Sequence, residues 1–311
     1  MTLPDAPVVP ATPASPLRTA LPLGAAVVSG AFVALQQRIN GDLGRDLGDP
    51  LVAAVVSFGT GLVLMCLLVL RSSPRAALPR ITTVPWWRRA GGLGGAALVF
   101  VGATAAPRIG VAVLTVCLVA GSVVGALVVD RAGLAPGGHR PLTPPRLLGA
   151  GLCLVAIVIS SAQGPREGSP WLLALVFLAG VLICFQQAFN GHVRHATDAT
   201  VATFINFAVG MTALAIGLTV KALTSGVHLS SWPGLDHWYL YIGGPIGASF
   251  VAVAALVVRS LGVLRLGLAV TAGQILGSLL VDLDRGVAGS TLIAAVLTMV
   301  AVVVSGRGQR A

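Results

Sequence analysis

Ten stretches of this chain are apolar over roughly the length of a bilayer: 21–40, 50–70, 86–106, 109–130, 146–162, 170–190, 199–221, 238–258, 261–281 and 287–305. A helix of about 20 apolar residues crosses about 30 Å of hydrocarbon, so the runs predict an all-α integral membrane protein of about ten transmembrane helices. Composition leaves no room for a soluble alternative. Only 10% of residues are charged and 56% are hydrophobic, against roughly 25% charged in soluble domains.

Residues 1–18, rich in Pro, Ala and Thr, read as a disordered N-terminal tail; a cleaved signal peptide is excluded because the first apolar run ends in a polar motif that returns in mid-chain. The net charge of +10 does not imply nucleic acid, because the basic residues fall between apolar runs instead of on one soluble face. With the N-terminus in the cytoplasm, Arg18, Arg71, Arg75, Arg80, Arg88, Arg89, Arg131, Arg140, Arg146, Arg194, Arg259, Arg265, Arg307 and Arg310 lie inside. Only Arg38, Arg45, Arg108, Arg166, Lys221 and Arg285 lie outside. The positive-inside rule therefore predicts a multi-pass protein of the cytoplasmic membrane with both termini cytoplasmic. Trp86, Trp87, Trp171, Trp232, Trp238, Tyr239 and Tyr241 sit near run ends, where aromatic rings with polar tips favour the headgroup region.

The chain repeats itself. Gln36-Gln37-Arg38-Ile39-Asn40-Gly41 is answered by Gln186-Gln187-Ala188-Phe189-Asn190-Gly191, and the matching continues through Asp49/Asp198, Phe58/Phe207 and Gly61/Gly210. It then runs through Gly91/Gly243, Gly92/Gly244, Gly95/Gly247, Gly110/Gly262, Gly121/Gly273, Gly125/Gly277 and Asp130/Asp282. Matches in one order at nearly constant offset indicate duplication, dividing the chain into 19–168 and 169–305 with a short tail at 306–311. Five spans is an odd number, so the second half is expected to enter the membrane inverted, with a substrate site near the midplane where the halves meet.

These motifs resemble the drug/metabolite transporter superfamily, and within it a fused, ten-span version of the short YdcZ-type (DUF606, EamA-like) branch. The resemblance rests on Gln36/Asn40, Ser57/Phe58/Gly61 and Gly121/Asp130, repeated as Gln186/Asn190, Asn206/Phe207/Gly210 and Gly273/Asp282. It implies two inverted five-helix repeats and a transporter fold.

The candidate substrate contacts are amides and hydroxyls inside the apolar runs. Gln36 and Asn40, like Gln186 and Asn190, are four apart and share a helix face, while Ser57 and Asn206 occupy matched places in the second helix of each half. A polar amide in hydrocarbon faces protein or water; these either line a cavity or bridge helices. Gln274 answers Ser122, which makes the expected pocket asymmetric. Gly121, Gly125, Gly273 and Gly277 allow close helix packing, and Gly91/Gly95 and Gly243/Gly247 do the same.

No Asp, Glu, Lys or His falls mid-run, which disfavours proton-coupled export of a cation through a membrane-embedded carboxylate. Asp130 and Asp282 read as solvated helix-end acids, and His192 and His195 as part of a solvated connection. Cys66, Cys117, Cys153 and Cys184 are isolated packing residues. No metal, cofactor, ATP-binding or catalytic motif is present. A secondary transporter or facilitator for a small solute, working by alternating access in the lipid bilayer as a monomer or homodimer, is the leading expectation. A non-transporting membrane assembly protein and, behind it, a lipid-headgroup flippase are the alternatives.

Overall fold

The computed structural model describes residues 16–136, 138–139, 141–161, 170–227 and 229–307. Its helices are α1 (Pro16–Leu47), α2 (Pro50–Val69), a short α3 (Ser72–Ala77), α4 (Gly92–Ile109), α5 (Val111–Arg131), α6 (Pro144–Ser161), α7 (Pro170–Ala196), α8 (Ala199–Thr224), α9 (Gly243–Val281) and α10 (Gly289–Arg307). Among the described residues, six helical segments are long and apolar enough to cross a membrane: Ala20–Leu47, Pro50–Val69, Trp86–Ile109, Val111–Arg131, Pro170–Ala196 and Ala199–Thr224. Shorter apolar helices cover Pro144–Ile159, Leu266–Val281 and Gly289–Ser305. The protein is an all-α membrane protein.

Local chemistry sets the helix ends. Asp49 caps α2, its Oδ1 accepting from the Leu51 N–H at 2.9 Å, with Pro50 at the first helical position where its missing N–H costs nothing. Its repeat partner Asp198 caps α8, accepting from the Val201 N–H at 2.8 Å. Gly110, at φ +81, is the only residue between α4 and α5; an L side chain is strained at that angle.

Several boundaries move. The first run continues seven residues past Asn40 to Leu47, and the sixth continues to Ala196, so the amides lie within helices and not at their ends. His192 and His195 belong to the last turns of α7, not to a solvated connection. His192 lies 3.4 Å from an Arg88 guanidinium nitrogen and 3.0 Å from the Leu134 carbonyl oxygen. The run at 86–106 opens as a 3-10 turn, Trp86–Arg89, before the α-helix starts at Gly92. The N-terminal tail reading falls largely on 1–15, and that of the C-terminal tail on 308–311, both outside the described residues; residues 16–18 are helical.

The runs at 238–258 and 261–281 form a single helical element, α9, but the element doubles back. A straight helix of its 39 residues would separate its ends by about 58 Å. Yet a Cβ on Gly243 would meet Asn40, and the Val281 carbonyl accepts from Arg38 at 3.0 Å, so both ends lie beside one turn of α1. Between those ends, Val253 and Val257 on one limb and Leu266 and Ala269 on the other pack around Ala26. The chain reverses between Val257 and Leu266.

Packing is glycine-mediated, as expected where apolar lipid tails offer no hydrophobic drive for helices to associate. A Cβ on Gly273 would overlap the Val27 carbonyl and one on Gly277 would lie 2.6 Å from the Ala31 Cα, seating the second limb of α9 on α1. A Cβ on Gly121 would overlap the Phe177 carbonyl and one on Gly125 would lie 2.9 Å from the Val181 Cα, seating α5 on α7. Helices α6 and α10 pack together at Gly149 and Ala301, and expose Leu148, Val158, Ile293 and Val296 on their outer faces.

Candidate functional site

Helices α2 and α8 pack antiparallel. Asp49 pairs with Lys221, Leu51 reaches Gly217, Phe58 faces Gly210 and Gly61 faces Phe207. The Phe58 and Phe207 rings lie 5.1 Å apart, tilted by 45°, a contact worth about 0.5–1.5 kcal/mol beyond area burial. Each ring packs over the glycine of the other helix, so a residue and its repeat partner exchange the same contact.

An amide cluster lies on each side of this contact. In the second half, Asn206 Oδ1 accepts from Gln186 Nε2 and from Asn190 Nδ2, both at 2.9 Å. Gly95 of α4 closes over this cluster; a Cβ there would sit 3.1 Å from Gln186 Nε2 and 3.3 Å from both Asn206 Nδ2 and the Phe58 ring. Asn206 is therefore the acceptor that holds two helices together, in hydrocarbon a bond worth about 0.6–2 kcal/mol.

In the first half, Ser57 stands where Asn206 stands in the second, and its side chain is too short to do the same. Asn40 is fully buried with both amide atoms unpartnered, and Ser57 Oγ is unpartnered too. A Cβ on Gly243 would overlap Asn40 Oδ1 and lie 3.1 Å from Ser57 Oγ. One on Gly247 would lie 2.6 Å from Gln36 Nε2, reciprocating the approach of Gly95 to Gln186. Unmet buried amide groups cost about 1–3 kcal/mol each, so this half is polar without being internally satisfied.

The sequence-derived candidates thus form two groups, Gln36/Asn40/Ser57 and Gln186/Asn190/Asn206. A groove of about 530 Å³ at Leu62, Met211 and Thr212 has none of them in its lining. Gln274 lies elsewhere, at the crossing of α9 with α1, where a Cβ on Gly30 would lie 2.9 Å from its backbone nitrogen. Ser122 donates to the Val119 carbonyl of its own helix at 2.8 Å.

Sequence reasoning missed Gln37, which is 1% exposed with both amide atoms unpartnered against Gly102, whereas its repeat partner Gln187 is exposed. The adjacent Gln36-Gln37 pair was the available signal: successive helical residues point about 100° apart, so both being buried requires protein on two faces. Also missed were the ion pairs that join distant elements. The acids read as solvated are not: Asp130 pairs with the buried Arg146, and Asp282 is 5% exposed, accepting from the Ala112 N–H at 2.8 Å. Burial pushes the Asp282 carboxyl above its ordinary range, opposed by that hydrogen bond and by Arg285 and Arg38. Arg38 also bonds Asp42 at 2.9 Å and Asp284 at 2.8 Å, holding the exposed Asp284 carboxyl below its usual range. Among the described residues, no His, Cys, Asp or Glu group is arranged to hold a metal ion.

No curated protein matches the chain. A solved structure titled only "Crystal structure of protein" shares its fold at 19% identity, covering 95% of this chain and 99% of that one with a TM-score of 0.56. The family model described as "Putative inner membrane exporter, YdcZ" matches twice, over residues 21–159 and again over 171–306. Two matches covering nearly the whole chain, on helices apolar enough to span a bilayer, identify a multi-pass inner-membrane transporter that belongs to the DMT_YdcZ family.

Proposed function

We propose that the protein is a secondary transporter or facilitator that moves a small, uncharged or zwitterionic polar solute by alternating access between two inverted five-helix halves. The observation that carries this reading is reciprocity. Gly61 meets Phe207 as Gly210 meets Phe58, Gly95 meets Gln186 as Gly247 meets Gln36, and Gly121 meets Phe177 as Gly273 meets Val27. A two-fold axis makes each patch self-complementary in this way. The direction of the helices agrees: Gly102 and Gln37, then Ala106 and Gly41, set α4 parallel to α1, whereas Gly91 and Asn190, then Gly95 and Gln186, set it antiparallel to α7. The reversal in α9 supplies the tenth span.

The solute class follows from the amides, which offer donors and acceptors but no charge. The first cluster is closed in this structure, with Gln36 7% exposed and Asn40 fully buried; in the second, Asn206 is 7% exposed while Gln186 and Asn190 are half-buried. Access requires the glycine-lined faces of α4 and the first limb of α9 to withdraw, and helices in contact through Cβ-free surfaces can slide at little steric cost.

Reconstituted protein is expected to pass at least one neutral polar solute from a metabolite panel across liposomes. Asn206→Leu and Gln36→Leu should each lower that flux tenfold or more while the protein remains monodisperse. Full flux in both variants would remove the amides from the pathway. Topology has its own test, in a background where the exposed Cys66 is changed to serine. Cysteines placed at the exposed positions Ser73 and Ser231 should react with an impermeant maleimide from the cytoplasmic and outer sides respectively; labelling from the same side would end the inverted-repeat reading.

A further inference from the structure

We infer that the strap joining α2 to α4, residues 70–91, is a docking element for anionic phospholipid headgroups, binding their phosphates through Arg71, Arg75 and Arg80. This inference is independent of what the protein transports. The strap crosses the end of the bundle where α7 gives way to α8, and its side chains divide into two sets. One set holds the strap down: Val84 is buried with Val193 and Ala202, Trp87 packs edge-on against Phe189 at 5.6 Å, and Arg88 lies over the Trp87 ring and reaches His192. Arg89 is spent on the strap's own turn, donating to the Val84 carbonyl at 2.8 Å and to the Thr82 carbonyl at 3.3 Å.

The other set points away from the protein. Arg71, Arg75 and Arg80 are exposed, as are the apolar side chains of Trp86 at 80% and Leu70 at 66%. From residue 50 to residue 129 the sequence contains no Asp or Glu, so no carboxylate near in sequence neutralises the three guanidiniums. Rings and leucines at this depth favour the headgroup boundary, and guanidinium binds phosphate through paired N–H donors. Apolar anchors beside unneutralised arginines suit a bilayer surface better than a free polyanion, which would leave Trp86 and Leu70 in water.

The opposite strap, residues 225–242, acts as an internal comparison. It carries the same kind of exposed anchors, Trp232 at 58%, Leu235 at 90% and Trp238 at 61%, but no arginine or lysine, and one acid, Asp236. Apolar anchoring is thus common to both straps, while phosphate binding belongs to one. Anionic lipid attracts each basic residue near its surface by about fivefold, so binding at 70–91 also favours one orientation of the protein in the membrane.

The test uses full-length protein equilibrated with defined mixtures of phosphatidylglycerol and phosphatidylcholine, with retained lipid read by native mass spectrometry. Wild-type protein should retain the anionic lipid over the neutral one by tenfold or more, and Arg71→Gln/Arg75→Gln/Arg80→Gln should bring that preference below about threefold with an unchanged melting temperature. A second arm reads Trp86 by quenching from acyl-brominated lipid. The difference between wild type and Trp86→Phe should be larger in brominated phosphatidylglycerol than in brominated phosphatidylcholine, and the triple variant should abolish that excess. An undiminished anionic preference in the triple variant would overturn the proposal. So would a Trp86 contribution that ignores headgroup charge, or an oligonucleotide that displaces the lipid.

Discussion

Replacing Gly273 with alanine is expected to destabilise the protein by about 3 kcal/mol, the upper part of the range for overpacking a close-packed site, while Gly267→Ala on the same limb should be neutral or stabilising. Both substitutions add one methyl group to a helix, and by helix propensity alone each should gain about 0.5–1 kcal/mol. The difference lies in what the methyl meets. At Gly267 nothing lies within 4 Å; at Gly273 the new Cβ overlaps the backbone carbonyl of Val27. A backbone atom inside a helix cannot swing aside as the end of a side chain can, so α1 and α9 must separate along their shared seam. Gly121→Ala should cost a similar amount, because its Cβ meets the Phe177 carbonyl in the reciprocal crossing of α5 with α7. Thermal unfolding in detergent of the three single variants is the measurement. Equal melting temperatures for Gly267→Ala and Gly273→Ala would show that the crossing is looser than the structure has it.

How much of this was legible beforehand depends on which physical scale fixed it. The helical membrane class followed from ten apolar runs, because hydrocarbon imposes one demand on all of them. The near-constant offset between the halves was also visible, and three of the glycine pairs it aligned, Gly92/Gly244, Gly121/Gly273 and Gly125/Gly277, touch helix backbones reciprocally. Individual partners were not visible. Gln36 and Gln186 occupy the same place in their repeats, yet only Gln186 bonds a neighbouring helix, because Asn206 reaches where Ser57 does not. The single-atom scale decides that, and an alignment of the halves shows only that the residues differ. Charged ends were misread for a related reason. Asp130 and Asp282 lie at helix ends, where solvation is the default, but Arg146 of the next helix reaches the first and the α5 N-terminus, 170 residues away in sequence, reaches the second.

The carboxylate of Asp49 illustrates how one such residue can serve two levels of structure, and substitutions can separate them. Its Oδ1 accepts from the Leu51 N–H, starting α2, and its Oδ2 pairs with Lys221 Nζ at 2.6 Å, tying the start of α2 to the end of α8. Asp49 is buried and Lys221 is 37% exposed. Asp49→Asn keeps the cap acceptor and removes the charge; Lys221→Met removes the charge partner and leaves a buried carboxylate behind. Asp49→Ala removes both functions. Loss of an N-cap costs about 0.5–2 kcal/mol, and stranding a fully buried ion-pair partner costs about 3–5 kcal/mol, which partial solvation of Lys221 reduces. The expected order of stability is therefore wild type, then Asp49→Asn, then Asp49→Ala and Lys221→Met together at the bottom, with Asp49→Asn/Lys221→Met recovering most of the loss of Lys221→Met alone. That recovery distinguishes a stranded carboxylate from lost packing of the lysine stem, which no change at Asp49 would restore. If the double variant melts no higher than Lys221→Met, the ion pair contributes nothing across α2 and α8, and packing contacts such as Leu51–Gly217 and Phe58–Phe207 hold those helices together.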